Sequence, residues 1–137
     1  MTKLFKSQFK SLEIFGALSF LMVLIVQLYL RPAYGNQKDA LTFFFGIAPN
    51  LFGGIGISIS NFIYRNKTSD LKTKILTSGA SAFGFLGIWE AIQSAGGRTF
   101  DIWDITASAV GAAIGMLALW LVTRKMNNFT DLKIQVL

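Results

Sequence analysis

The segment WEAIQSAGGRTFDIWDITASAVGAAIG, residues 89–115, joins the ends of two apolar runs through a short polar connection. Polar or ionisable side chains are concentrated in fifteen positions of this segment, at Glu90, Gln93, Arg98, Asp101 and Asp104. These groups stand inside or at the mouth of hydrophobic sequence, where an uncompensated charge is costly and usually serves a function. We therefore expect the polar chemistry of the protein here, with the remaining sequence holding it in a membrane.

The composition is typical of an integral membrane protein. Apolar residues make up 53% of the 137 residues and charged residues only 15%, and the mean hydropathy is +0.52. The charges are clustered between apolar runs of about twenty residues, the length at which a helix crosses roughly 30 Å of hydrocarbon. The sequence thus predicts a single-domain, all-α, polytopic membrane protein. Its four transmembrane helices are expected at about residues 12–30, 40–64, 75–95 and 104–122.

Residue types that are missing from the chain exclude several kinds of site. The sequence contains no His and no Cys, which removes thiol nucleophiles, disulfides and His- or Cys-ligated zinc. No metal site and no cofactor are predicted. The net charge of +6 does not indicate nucleic-acid binding, because the basic residues flank apolar runs in the manner of topology signals.

The distribution of Lys and Arg predicts the orientation. Ten of the thirteen lie in the N-terminal segment, in the connector between the second and third runs, or in the tail after the fourth. The two other connectors carry Arg31, Lys38 and Arg98. The positive-inside rule places both termini in the cytoplasm and the connector with Arg98 outside. Pro32 is expected to stop the first helix, followed by a turn-rich loop over residues 31–39.

The second apolar run carries a narrow stripe of small and polar residues. Gly46, Asn50, Gly54 and Ser58 recur every four residues, so they share one face of a helix. Small residues allow close helix packing, and an Asn at membrane depth needs a partner for its amide. Pro49 removes a backbone donor within the same run. A kinked packing interface and a kink that lines a ligand site both fit this pattern.

The fourth run has a similar set of small residues, for which helix packing is the predicted role. These residues are Ala107, Ser108, Gly111 and Gly115.

The polar cluster itself allows two interpretations. Asp101 and Asp104 stand at the start of the fourth run, where carboxylates cap a helix and favour its dipole. Capping does not explain Glu90, which needs a partner such as Arg98. A pocket formed by these groups would hold a cation or an amine-bearing headgroup through its acids. It would alternatively hold a phosphate through Arg98 and Lys38.

The order of these residues resembles the second half of VanZ-like proteins, which are small bacterial membrane proteins. In chain order, the resemblance rests on Glu90-x-x-Gln93, a Gly-containing turn with Arg98, the pair Phe100-Asp101-x-x-Asp104, and Gly111-x-x-x-Gly115. It covers about thirty residues well and the first two helices loosely. Ser108 stands where the family usually has Asn, and no His follows Lys38. The resemblance implies a role in the cell envelope at the bacterial cytoplasmic (inner) membrane, of the kind associated with reduced susceptibility to the lipoglycopeptide teicoplanin.

Three functions follow as hypotheses. The first is a non-enzymatic protein whose outer-leaflet pocket recognises a lipid headgroup, a lipid-linked wall precursor or a lipoglycopeptide antibiotic. The second is an enzyme acting on a lipid-linked substrate, with Glu90 or Asp104 as general acid or base. The third is a small assembly subunit, or homo-oligomer, that docks a protein partner through the stripe on the second helix. Residues 126–137 carry no functional prediction.

Overall fold

The computed structural model describes residues 3–34, 40–64, 70–97 and 101–135, and side chains from residue 9 to residue 125 within those ranges. Every regular element in these ranges is helical. The helices are α1 (Lys3–Ile25), α2 (Arg31–Tyr34), α3 (Ala40–Tyr64), α4 (Leu71–Ala95) and α5 (Ile102–Gln135), and a π-helical turn, Val26–Leu30, joins α1 to α2. The prediction of an all-α chain is confirmed.

Four helical spans are long and apolar enough to cross a membrane. A helix satisfies most backbone hydrogen bonds within itself, as hydrocarbon requires. The spans run over Phe9–Tyr34, Ala40–Tyr64, Leu71–Ala95 and Ile102–Lys125.

Pro32 does not stop the first helix, so that prediction is wrong. The chain remains helical through Tyr34, because the turn ahead of the proline widens. The backbone N–H of Arg31 donates to the carbonyl of Val26, five residues back rather than four. A π turn leaves space for the proline ring, and the N–H that proline lacks would have donated to a carbonyl of this turn. The predicted loop over residues 31–39 is thus helical in its first four residues, and residues 35–39 lie outside the described part of the chain.

Two other helices begin earlier than predicted, and each has an aspartate cap. Asp70 precedes α4, and its carboxylate accepts 2.9 Å and 2.6 Å hydrogen bonds from the backbone N–H and the hydroxyl of Thr73. Asp101 precedes α5, and its carboxylate accepts a 2.9 Å bond from the backbone N–H of Trp103. Such caps satisfy donors that the first turn of a helix leaves free. Helix α5 also continues past the predicted end at residue 122, to Gln135.

Helix α3 is the centre of the bundle. It packs against α1, α4 and α5, and most extensively against α5. The buried core surrounds its C-terminal half, where Ile55, Ile59 and Phe62 meet Leu12, Ile75 and Leu119. The opposite, N-terminal half of α3 has no comparable apolar cluster among the described residues. It faces a cavity instead.

Candidate functional site

A cavity of about 780 Å³ lies where one end of each of the four spans meets the others. The walls come from the π turn and α2, from the first third of α3, from the last turns of α4, and from the start of α5. Most of the lining residues are polar. They are Gln27, Arg31, Gly46, Pro49, Asn50, Trp89, Glu90, Gln93, Gly97, Asp101 and Asp104.

Five of the seven residues that the sequence assigns to ligand binding line this one cavity. They are Asn50, Glu90, Gln93, Asp101 and Asp104. The other two, Lys38 and Arg98, lie outside the described residues. Sequence separation between Asn50 and the acidic segment is large, so only the helix packing brings them together.

Glu90 is the most deeply buried charged group of the cavity. Its side chain is only 6% exposed. One carboxylate oxygen accepts a 3.4 Å hydrogen bond from the backbone N–H of Asp101, at the long end of the range for such bonds. A buried carboxylate is destabilising unless donors from the protein, from water or from a ligand surround it. A carboxylate offers about four acceptor sites, more than this one long bond occupies.

The depth of Glu90 places it close to the membrane surface. It lies five residues before the end of α4 at Ala95, which corresponds to roughly 7 Å along the helix axis. The span Leu71–Ala95 has 25 residues and is therefore about 37 Å long, against roughly 30 Å of hydrocarbon. Shared equally between the two ends, the excess leaves Glu90 roughly 4 Å inside the hydrocarbon boundary, where a hydrated polar cavity can reach it.

Asp101 combines a structural role with a place in the cavity wall. Its exposed carboxylate caps α5, as the alternative interpretation of the sequence proposed, while its backbone N–H points to Glu90. The connection after α4 thus holds the buried carboxylate through a main-chain donor. Gly97 forms part of the same wall and has a φ of 91°, a left-handed conformation that glycine adopts readily.

Asp104 lies in the first turn of α5 and is half-buried. The side-chain amide of Asn50 forms a hydrogen bond with its carboxylate, which joins α3 to α5 across the cavity. Glu90, Asp101 and the guanidinium of Arg31 all lie within electrostatic range of this carboxylate. Asn50 therefore has the partner that an amide at membrane depth requires.

The π turn and α2 contribute two residues to the cavity. Gln27 lies within the π turn, and the Arg31 Nη1 atom is 3.5 Å from its side-chain oxygen. Sequence reasoning noted Arg31 as an available cation but did not select Gln27. A polar amide inside an apolar run was the available signal. π turns often occur at functional sites, where the wider turn redirects side chains.

The small residues predicted for helix packing bring α3 and α5 into backbone contact. A Cβ built on Gly111 would overlap the carbonyl oxygen of Leu51, and one on Gly54 would lie 2.8 Å from the Ala112 nitrogen and the Ser108 oxygen. On Gly115 it would lie 2.7 Å from the Ser58 Cβ. Ala107, Ser108 and Ser58 are buried in the same contact.

Gly46 departs from this pattern. A Cβ built on it would meet no atom within 4 Å, and the residue lines the cavity. The stripe on α3 changes character at Pro49: Gly54 and Ser58 pack on α5, whereas Gly46 and Asn50 line the cavity. A packing role for Gly46 stays a prediction, since no described residue of this chain packs against it. It also follows that Gly54 and Ser58 are covered within the chain and are not free to dock a partner.

The charges of the described lining favour a cationic ligand. Three carboxylates, Glu90, Asp101 and Asp104, face one guanidinium, Arg31. Within the ranges that the structure describes, no three acidic side chains approach closely enough to form a metal site. The arrangement suits an ammonium group, which carries several donors and tolerates spaced carboxylates better than a bare metal ion does.

Three comparisons bear on kinship. No protein-family model, no curated protein and no solved structure matches this chain.

Proposed function

We propose that this multi-pass membrane protein is a VanZ-like, non-enzymatic component of the bacterial cell envelope. Its polar cavity binds the ammonium-bearing headgroup of an amphiphile, such as a lipid, a lipid-linked wall precursor or a lipoglycopeptide antibiotic. The observation that carries the proposal is the cavity of about 780 Å³ at the end of four apolar spans, with the buried Glu90 in its wall. Its volume is within the usual range for small-molecule sites.

The position of the cavity supports an amphiphilic ligand. Its polar walls belong to helices whose outer faces carry large exposed apolar side chains, including Trp103 at the same end, while the exposed Trp89 also lines the cavity. Tryptophan is enriched at the membrane interface. A molecule with a polar head and an apolar tail satisfies both environments at once, with the head in the cavity and the tail along the neighbouring hydrocarbon.

The acidic balance supports the ammonium group. The carboxylates of Glu90 and Asp104 provide hydrogen-bond acceptors on two sides of the cavity. A primary ammonium donates three hydrogen bonds, whereas a phosphate offers acceptors only and would be repelled by this wall. Binding of a phosphate would depend on Arg31 together with Lys38 and Arg98. Of these three, Lys38 and Arg98 lie outside the described residues.

Binding is favoured over catalysis by the types of side chain present. The described lining contains carboxylates, amides, a guanidinium and an indole, but no hydroxyl or amine nucleophile beside a base. The role as a docking subunit loses half of its predicted surface, because Gly54 and Ser58 are covered by α5. Under the positive-inside rule the cavity opens to the outer leaflet, where an envelope ligand would reach it.

A binding experiment with a matched pair of lipids tests the proposal. The full-length protein in lipid nanodiscs is titrated with short-chain phosphatidylethanolamine or with phosphatidylcholine of the same chain length, and heats of binding are recorded. We expect phosphatidylethanolamine to bind more tightly, because its primary ammonium can donate to Glu90 and Asp104. Glu90→Gln should weaken this binding roughly tenfold or more, the usual effect of losing a charged hydrogen bond.

The control is Glu13→Gln, which makes the same change on an exposed position of α1. It should leave both affinities unchanged. Equal affinity for the two lipids, or a Glu90→Gln variant that binds like the wild type, would contradict the proposal. Tighter binding of glycerol phosphate than of phosphatidylethanolamine would show that the site is a phosphate site.

A further inference from the structure

A second recess lies at the opposite end of the bundle, between the start of α4 and residues 116–124 of α5. We call it the α4/α5 groove. Its volume is about 680 Å³. It is lined by Leu71, Lys72, Ile75, Leu76, Met116, Leu117, Trp120, Thr123 and Arg124.

The walls of the groove are apolar and in part exposed. Leu76, Leu117 and Trp120 are 53%, 54% and 45% exposed, while Ile75 closes the floor at 7%. The hydroxyl of Thr123 is already satisfied, since it donates to the carbonyls of Leu119 and Trp120 at 2.7 Å and 3.1 Å. The groove is therefore an apolar trough in which Thr123 needs no hydrogen-bond partner from a ligand. From Met116 to Arg124 it follows eight residues of helix, which is about 12 Å.

Two cations stand together at one mouth of this trough. Lys72 is the second residue of the span Leu71–Ala95, and Arg124 is the next-to-last residue of the span Ile102–Lys125. Both therefore lie at the level where a helix leaves hydrocarbon for the headgroup region. The Arg124 guanidinium lies over the Trp120 ring, with its central carbon 5.1 Å from the ring centroid. This stacking holds the charge above the groove.

The described carboxylate near these cations is already occupied. Asp70 lies within electrostatic range of Lys72, but both of its oxygens accept hydrogen bonds from Thr73. Lys72 also lies in the first turn of α4, where the helix dipole disfavours a positive charge. Two cations that line one groove, with one such carboxylate beside them, favour an anion from outside the described chain.

We propose that the α4/α5 groove binds an anionic phospholipid, with one acyl chain in the trough and the phosphate between Lys72 and Arg124. Basic pockets between helices at the membrane surface bind anionic headgroups in this way. A second copy of the chain fits the groove less well. A two-fold contact through this surface would bring the Lys72 and Arg124 of one copy against those of the other.

Fluorescence of Trp120 provides a local test. The full-length protein with Trp89→Phe and Trp103→Phe keeps Trp120 as its single tryptophan, and it is placed in phosphatidylcholine nanodiscs. A minor fraction of the lipid is brominated in its acyl chains, as either phosphatidylglycerol or phosphatidylcholine. Brominated chains quench an indole that they contact. Quenching is normalised to the same variant in unbrominated lipid.

We expect brominated phosphatidylglycerol to quench Trp120 at much lower mole fraction than brominated phosphatidylcholine. The preference should be roughly twenty-five-fold, because two cations near a headgroup each contribute about a fivefold factor. Adding Lys72→Gln and Arg124→Gln should abolish the preference. Adding Lys10→Gln and Lys125→Gln, which removes the same charge from exposed positions outside the groove, should preserve it. Circular dichroism verifies that both variants keep their helices.

Three results would overturn the inference. Equal quenching by the two brominated lipids would show that the groove does not select a headgroup. An equal loss in the Lys10→Gln, Lys125→Gln control would assign the preference to the general surface charge. A Trp120 that neither brominated lipid quenches would show that another protein surface, such as a second copy, covers the groove.

Discussion

Replacement of Gly111 by alanine should separate α3 from α5. The added Cβ would overlap the carbonyl oxygen of Leu51, and the next two atoms that it meets are also backbone atoms of Leu51. Because no side-chain rotation relieves a backbone clash, the two helices must move apart by about an ångström. Overpacking of this kind costs up to about 3 kcal/mol. The better helix propensity of alanine offsets about 1 kcal/mol, so we expect a net loss of about 2 kcal/mol.

The measurement is equilibrium unfolding in mixed dodecyl maltoside and dodecyl sulfate micelles, followed by tryptophan fluorescence. Gly84→Ala is the matched control, since Gly84 lies within a transmembrane helix but a Cβ built there meets no atom within 4 Å. It should leave the free energy of unfolding unchanged or raise it by up to about 1 kcal/mol. A Gly111→Ala variant as stable as Gly84→Ala would refute the close approach of α3 and α5.

Three other predictions concern separate parts of the molecule. The hydrogen bond from the Thr73 hydroxyl, together with that from its backbone N–H, lowers the pKa of Asp70 below its ordinary 3.8. The cap therefore stabilises the fold above about pH 4, and this stabilisation is lost as the pH falls through the lowered pKa. Thermal melting of Asp70→Asn should show a weaker acid dependence in that window. The side-chain amide of Asn61 donates a 2.8 Å hydrogen bond to the Ser81 hydroxyl between α3 and α4. A double-mutant cycle with Asn61→Ala and Ser81→Ala should give a coupling free energy of about 0.6 kcal/mol. A coupling of zero would show that this bond does not stabilise the packing of α3 on α4. If the VanZ-like proposal is correct, expression in a susceptible bacterium should raise the inhibitory concentration of teicoplanin, and Glu90→Gln should abolish the increase without lowering the amount of protein in the membrane.

Hydropathy and charge spacing were sufficient to predict the four apolar spans, because both properties are local. They failed at Pro32, where a proline rule that holds for α-helices does not anticipate a π turn. The same limit applies to Gln27, whose role depends on the direction that this turn gives it. Sequence periodicity placed Gly46 and Gly54 on one helical face correctly, but it cannot say what lies opposite each. Gly54 meets α5 and Gly46 meets the cavity, a difference that arises only when the helices assemble.

The acidic cluster illustrates how far local reasoning extends. Asp101 was predicted both as a cap and as a site residue, and the structure gives it a cap and a place in the cavity wall. The contact between Asn50 and Asp104 had no local signal, because it joins residues far apart in the chain. A ligand-binding role for these residues remains a prediction that the titrations with Glu90→Gln address.

The wide turn at Val26–Leu30 stores one surplus residue within the first span. Excision of an outward-facing residue there, such as Leu28 or Tyr29, together with replacement of Pro32, which needs the wide turn, would let the helix close to ordinary pitch while Arg31 keeps its azimuth toward the cavity. Elsewhere in these spans the loss of one residue would rotate everything that follows by about 100°. This turn is therefore the place where the chain can change length during evolution without turning its polar wall toward lipid.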